Sequence, residues 1–200
     1  LRKIPNANET THKGLWEKKI MKGNELKGKK IGIVGFGNVG KRVAEISDAL
    51  GMKVSIYSSY FTTIKDKFKN YDSSDLENIL SNSDIITFHC KPNKDGSSII
   101  AKDEFNMMKK NCILVNTARG GLINETDLIQ ALKNNVIKGA ALDVFKKEPL
   151  EESELFNLEN IILTPHIAAS TDEAQIVVAE MVANQFCEYF KNNNIVNSIT

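Results

Sequence analysis

Gly35-Phe36-Gly37-Asn38-Val39-Gly40 is the spacing in this chain with the most direct chemical meaning. The run follows the β-branched stretch Ile31–Val34 and opens a helical pattern, Val39, Val43, Ile46 and Leu50, that Gly51 brings to a stop. Three glycines at this spacing arise by chance in many proteins, but between a strand and a helix they have a mechanism. Gly35 permits the tight turn, Gly37 leaves room for a pyrophosphate, and Gly40 lets the helix approach the sheet. The helix N-terminus then supplies free N–H groups and a positive dipole to the phosphates. In such a site the next strand, Lys53–Tyr57, should end in an acid that accepts hydrogen bonds from ribose hydroxyls. Ser58 stands there instead, eighteen residues after Gly40, with Ser59 behind it. A serine holds a ribose more weakly and does not repel a 2′-phosphate. The nearest cations are Lys65 and Lys67 and no arginine directly follows the strand, so NAD is expected ahead of NADP, with NADP open.

The elements that must position these residues are readable from Lys30 onward. Strands are expected at Ile31–Val34, Lys53–Tyr57, Ile85–Phe88, Ile113–Val115, Ala140–Val144 and Ile161–Leu163. Between them lie amphipathic stretches with caps: Ser74 with Glu77 ahead of Leu76, Ile79 and Leu80, and Asn124 ahead of Leu128, Ile129 and Leu132. Near-continuous apolar strands separated by helices predict an α/β fold with a doubly wound parallel sheet covered on both faces. After Pro165 a further box, Ser170 with Glu173, starts one long helix to about Phe190, with the apolar stripe Val178, Met181, Val182, Phe186, Tyr189 and Phe190. Before Lys30 the chain is polar, with Leu15, Trp16, Ile20 and Met21 its substantial apolar cluster, and it opens without a methionine, as an excised piece would. The expected organisation is an interdomain helix remnant over 1–24, a dinucleotide-binding domain over 25–167, and a helix over 168–200 returning to a second domain.

Composition sets the outer bounds. Two hundred residues fit one domain, or one domain plus a fragment of another. The 26 Lys and Arg against 25 Asp and Glu leave a net charge of +1, which gives no footprint for nucleic acid or an anionic membrane. No apolar run is long enough to span a bilayer. Cys90, Cys112 and Cys187 are far apart and, with His12, His89 and His166, do not assemble a zinc motif, so no metal is expected. Reduced thiols and the lack of a signal segment suggest a cytoplasmic protein.

In a doubly wound sheet the C-terminal strand ends line one crevice, where ligands bind. Here they deliver His89, then Asn116-Thr117-Ala118-Arg119-Gly120-Gly121, then Asp143, then Pro165-His166. Singly, His89 reads as a capped strand-end histidine, Arg119 as a surface cation, Glu148 as a turn acid before Pro149, and His166 as a packed loop residue. Their placement after successive strands of one sheet favours a shared site. The runs Asn116–Gly121, Gly139–Pro149 and Thr164–Thr171 resemble the signatures of the D-isomer-specific 2-hydroxyacid dehydrogenases. The last two most resemble the 3-phosphoglycerate dehydrogenase branch, and the resemblance extends from Leu15-Trp16-Glu17 to the closing helix.

That resemblance implies a catalytic Arg, Glu and His, which fall on Arg119, Glu148 and His166. Arg119 would hold the substrate carboxylate and polarise the C2 oxygen. His166 would take the hydroxyl proton as hydride leaves C2, and Glu148 would orient it and favour the imidazolium. Asp143 matches the position that hydrogen-bonds the nicotinamide carboxamide, and Asn38 and Val39 match pyrophosphate-binding backbone positions. Cys90, Thr117 and Ala118 match positions lining the cofactor, and the implied site also includes His89, Ala168 and Ala169. Three departures stand out. Ser58 replaces the ribose acid, Lys91 occupies the place of a proline with Pro92 one residue later, and family members carry, ahead of the position of Leu1, the segment that builds most of their substrate domain. The expected function is hydride transfer between a nicotinamide and a small D-2-hydroxy acid, first 3-phosphoglycerate, then glyoxylate, hydroxypyruvate or D-lactate, by a homodimer. A nucleotide-sensing corepressor of the same fold is the alternative, since such proteins can keep all three residues.

Overall fold

The computed structural model of the protein describes residues 1–197. A short helix, α1 (Ile4–His12), precedes the alternating part of the chain. Then follow β1 (Lys30–Val34), α2 (Asn38–Ala49), β2 (Lys53–Tyr57), α3 (Ser59–Ile64), β3 (Asp72–Ser73), α4 (Leu76–Asn82) and β4 (Ile85–Phe88). The second half contains α5 (Lys102–Met107), β5 (Ile113–Asn116), α6 (Glu125–Lys133), β6 (Gly139–Leu142), β7 (Ile161–Leu163) and α7 (Asp172–Asn192). The seven strands form one sheet in the order β3-β2-β1-β4-β5-β6-β7, and every pairing is parallel. Order reverses at β1, between β2 and β4, which is where a doubly wound sheet opens its ligand crevice.

Period-two alternation sorts the strand residues onto two faces. Val34, Ile86, Phe88, Leu114 and Leu142 face α4, α5 and α6 through Ile79, Leu80, Phe105, Leu128 and Leu132. Ile31, Ile33, Val54 and Ile56 face α2 and α3 through Ala44 and Phe61, with Phe36 and Tyr71 closing an aromatic cluster. Burial on both faces is why β1 and β4 read as near-continuous apolar runs. The second face is thinner beyond β4: Ile113, Val115 and Ala141 are half-buried and Ile162 is exposed.

Several details differ from the expectations. β3 is a two-residue strand of polar residues, too short to leave a periodic signal. The cap of α4 is Asp75, whose carboxylate accepts from the Asn78 N–H, rather than Ser74, and the cap of α7 is Thr171, which accepts from the Ala174 N–H, rather than Ser170. In both places two adjacent residues can cap, and the backbone turn decides between them. Asn124 caps α6 as expected, accepting from the Asp127 N–H. On α2 the buried positions are Gly40, Ala44 and Ser47, while Val39 and Ile46, and Leu50 just past its end, are exposed. Small residues bring this helix close to the sheet, so its larger apolar side chains point outward. α1 ends before the Leu15–Met21 cluster, and Trp16 lies exposed. α7 runs 21 residues with none buried, so its whole apolar stripe faces outward.

Candidate active site

The glycine turn is built by contacts that leave no room for side chains. The Gly35 N–H donates to the Tyr57 carbonyl at 2.9 Å and the His89 N–H to the Val34 carbonyl at 2.8 Å, so β2 and β4 are fastened on either side of the turn. Gly35 sits at φ +101°, and a Cβ there would lie 2.4 Å from the His89 carbonyl oxygen. Such a backbone position is open essentially to glycine. A Cβ on Gly40 would lie 2.2 Å from the Gly35 carbonyl oxygen, whereas one on Gly37 would meet nothing within 4 Å. The space beside Gly37 is therefore open, and the first turn of α2, including Asn38 and Val39, has no side-chain cap for its N–H groups. Free N–H groups, a helix dipole and open space suit a pyrophosphate.

From this turn a cavity of about 570 Å³ extends along the β1–β2 edge. Tyr57, Ser58, Ser59 and Thr62 line one side of it, and Cys90, Lys91, Asn93 and Ser98 line the other. The Ser58 hydroxyl caps α3 by accepting the Phe61 N–H at 3.4 Å. His89 is half-buried with its Nε2 3.0 Å from the Thr87 hydroxyl, and burial pushes its pKa down. That is the arrangement of a capped strand-end histidine, beside the turn but occupied by its own strand. Burial also raises the Cys90 thiol, which leaves it a neutral wall.

The second half of the site stands on the ends of β5, β6 and β7. Asn116, at the buried end of β5, holds the following loop from inside. Its Nδ2 donates to the Arg119 carbonyl at 2.9 Å, and its Oδ1 accepts the Ala118 N–H at 3.1 Å. Thr117 and Arg119 are thereby presented outward, and both are exposed. A Cβ on Gly120 would lie 1.9 Å from the Phe145 carbonyl carbon, so this loop abuts the segment after β6 backbone to backbone.

Asp143, just beyond β6, is buried to 4% exposure and organises the loop after β7. Its carboxylate accepts from the Thr164 hydroxyl at 2.5 Å and from the Ile167 and Ala168 N–H groups at 2.9 and 2.8 Å. Burial works to raise its pKa, but the Thr164 hydroxyl and the two N–H groups outweigh it and hold the carboxyl below its ordinary value. Three of about four lone-pair sites are thus taken by the chain itself. Between Thr164 and Ile167 the chain carries His166 at φ +55°, a left-handed conformation uncommon for a histidine. Its Nδ1 lies 2.6 Å from Glu148 Oε2, while Glu148 Oε1 accepts the Phe145 N–H at 2.9 Å. The hydrogen bond from His166, then that from Phe145, hold the Glu148 carboxyl below the usual carboxylate range. Beside the pair lies an apolar hollow of about 320 Å³ walled by Phe145, Pro149, Leu150, Phe156 and Leu163.

Glu148 and His166 are therefore brought together, and Asp143 and Ala168 support them from behind. Arg119 stays apart from the pair, its Nη1 donating to the Ala118 carbonyl at 2.6 Å, and it has no acidic partner among the described residues. Ala169 is exposed beside the same loop. Sequence reasoning missed Asn116, Thr164 and Phe145 as the groups that hold these side chains. A polar residue closing an otherwise apolar strand was the signal available for Asn116. Among the described residues no cluster of His, Cys, Asp and Glu is arranged to hold a metal.

Known proteins match this chain along nearly its whole length. The D-3-phosphoglycerate dehydrogenase of Archaeoglobus fulgidus is 38% identical over 199 residues, covering 99% of this chain and 38% of the relative. The glyoxylate reductase of Thermococcus litoralis is 37% identical, covering 98% of this chain and 62% of the relative. Among solved structures, an acyclic imino acid reductase in complex with NADPH and D-Arg superposes with a TM-score of 0.89 at 33% identity, covering 100% of this chain and 63% of that one. The D-lactate dehydrogenase of Lactobacillus jensenii with NAD+ superposes with a TM-score of 0.84 at 27% identity, covering 100% of this chain and 64% of that one. This chain thus spans less than two thirds of each. Residues 1–168 match the family described as D-isomer specific 2-hydroxyacid dehydrogenase, NAD binding domain. A glycine turn with room for a pyrophosphate, at the switch point of a sheet whose next strands carry Arg119, Glu148 and His166, accords with that match, and the chain belongs to this family as its NAD-binding domain.

Proposed function

We propose that the protein to which this chain belongs interconverts a D-2-hydroxy acid and the corresponding 2-oxo acid, with 3-phosphoglycerate as the leading substrate. The observation that carries the reading is the 2.6 Å contact between His166 Nδ1 and Glu148 Oε2 at the end of a dinucleotide crevice. With Nδ1–H donated to an ionised carboxylate, Nε2 is the free nitrogen, able to take the proton of a C2 hydroxyl and return it in the reverse direction. Bound NAD supplies the hydride acceptor, and the N–H groups of the Gly35–Gly40 turn would hold its pyrophosphate. Glu148 keeps the imidazole oriented, and the Asp143 clamp fixes the loop that carries it. Arg119, exposed on a loop pinned by Asn116, is free to swing its guanidinium toward a substrate carboxylate.

The choice of 3-phosphoglycerate is supported by D-3-phosphoglycerate dehydrogenases at 37–38% identity over nearly the whole chain, and glyoxylate stands second on the 37% identical reductase. Within this reading α7 and the segment up to residue 24 belong with a second domain, and the complete protein is a homodimer. Exposed Val178, Met181, Val182 and Phe186 on α7, and exposed Val39 and Ile46 on α2 with Leu50 just past its end, support covering partners for both surfaces. The deciding experiment follows nicotinamide absorbance with the complete protein and 3-phosphoglycerate, glyoxylate, hydroxypyruvate and D-lactate in turn. Turnover of 3-phosphoglycerate at a kcat/KM at least about tenfold above the others is expected. Turnover of none of them, with dinucleotide binding intact, would replace the enzyme by a dinucleotide-sensing binding protein.

A further inference from the structure

We propose that the adenosine end of the crevice admits a 2′-phosphate, so that this domain takes NADP(H) as well as NAD(H), with Ser58 and Lys91 as the residues that allow it. The inference rests on the identification of the chain as a dinucleotide-binding domain and concerns which dinucleotide it accepts. Ser58 follows the last residue of β2, and the register Val34↔Tyr57 sets it against one flank of the Gly35 turn. Cys90 and Lys91 occupy the other flank, where the backbone N of Cys90 lies 2.8 Å from a Cβ built on Gly35. Both flanks wall the same cavity of about 570 Å³. Lys91 is the one charged residue among those lining it, and the remaining polar walls are Tyr57, Ser58, Ser59, Thr62, Ser74, Asn93 and Ser98.

A carboxylate at the end of β2 would do two things there. It would accept hydrogen bonds from both ribose hydroxyls, and it would repel a phosphate by charge and by lacking a proton to donate. Ser58 does neither. Its oxygen already accepts the Phe61 N–H, which leaves its own hydroxyl proton to donate to a phosphate oxygen. The closest acid in sequence beyond β3, Asp75, is occupied in capping α4 and does not line the cavity. A strongly hydrated ammonium such as Lys91 is suited to a phosphate as a point charge. The cavity is thus neutral to cationic where the usual discrimination against a 2′-phosphate requires an anion.

The test is calorimetric titration of the chain with ADP-ribose and, separately, with its 2′-phosphorylated form, which requires neither substrate nor turnover. The unmodified chain is expected to bind both, with affinities within about tenfold of each other. Ser58→Asp should tighten ADP-ribose and weaken the phosphorylated ligand, shifting the ratio of affinities by at least about thirtyfold. Lys91→Ala should shift the ratio against the phosphorylated ligand by about fivefold to tenfold. Binding of ADP-ribose with the phosphorylated form more than about a hundredfold weaker would overturn the proposal and leave the dinucleotide site standing. Binding of neither would overturn both, because the crevice itself would then be misassigned. An unchanged ratio in both variants would overturn the assignment to Ser58 and Lys91.

Discussion

Gly120→Ala tests whether the Arg119 loop and the segment carrying Glu148 are held in register by direct backbone contact. A Cβ at this position would stand 1.9 Å from the Phe145 carbonyl carbon, 2.0 Å from its oxygen and 2.5 Å from the Lys146 nitrogen. Ordinary carbon contacts begin near 3.5 Å, so the two segments must separate by roughly 1.6 Å. All three obstructing atoms are backbone, and no flexible side chain can yield. Gly120 is not among the residues with positive φ, so the cost is the clash alone. One moving segment carries Arg119, and the other holds Glu148 through the Phe145 N–H at 2.9 Å. A displacement of about 1 Å in a catalytic group costs on the order of a hundredfold in rate. We therefore expect turnover by the complete protein to fall at least about a hundredfold. Overpacking should also cost about 2 kcal/mol, lowering the melting temperature by roughly 4–8 °C. Gly121→Ala is the control: its Cβ would meet nothing within 4 Å, and it should be neutral or slightly stabilising. Thermal unfolding by circular dichroism, steady-state turnover and ADP-ribose titration should be run on both variants, since ADP-ribose binding at β1–β2 should survive in both. Equal melting temperatures and equal turnover for the two variants would refute the register argument.

Three further outcomes follow from the structure. His166→Ala should cut turnover by the complete protein at least about a hundredfold with dinucleotide affinity within about threefold of normal; near-normal turnover would remove His166 as the proton acceptor. Glu148 has a carboxyl held low first by His166 and then by the Phe145 N–H, so its stabilising contribution is present above the unfolded carboxylate value of about 4.3. That contribution is lost as pH falls through the lower folded value, and denaturant melts between about pH 5 and pH 3 should show a steeper decline in stability for the native sequence than for Glu148→Gln. Parallel declines would mean that Glu148 gains nothing from His166 in the folded chain. Burial pushes the Cys112 thiol up to about 12, whereas Cys187 is exposed on α7. Alkylation of the folded chain near pH 8, read by mass spectrometry, should therefore modify Cys187 and spare Cys112; early modification of Cys112 would show that the core around β5 opens readily.

What was legible in the sequence was whatever periodicity or steric necessity writes into it. β1 and β4 are buried on both faces and therefore appear as short runs dominated by Ile and Val, interrupted by Gly32 in one and by Thr87 in the other, and the glycine turn appears because neighbouring backbone excludes a Cβ at Gly35 and Gly40. Pairwise arrangement is different in kind. That Asp143 would spend its carboxylate on Thr164, Ile167 and Ala168 depends on how β6 and β7 lie side by side, which no local pattern encodes. The same holds for Asn116 folding inward to hold the Arg119 loop. α2 shows where periodicity misleads. The helical spacing of Val39, Val43, Ile46 and Leu50 is real, yet the helix is seated by Gly40, Ala44 and Ser47. Closeness to a sheet is bought with small residues, so the large apolar side chains of such a helix report a different surface from the one it folds against. α7 carries that logic to its limit. It has an N-cap at Thr171 and a sustained apolar stripe, but no buried residue among its 21, so packing against the sheet does not account for its amphipathic pattern. In this chain α2 and α7 both keep large apolar side chains that the dinucleotide-binding sheet does not cover.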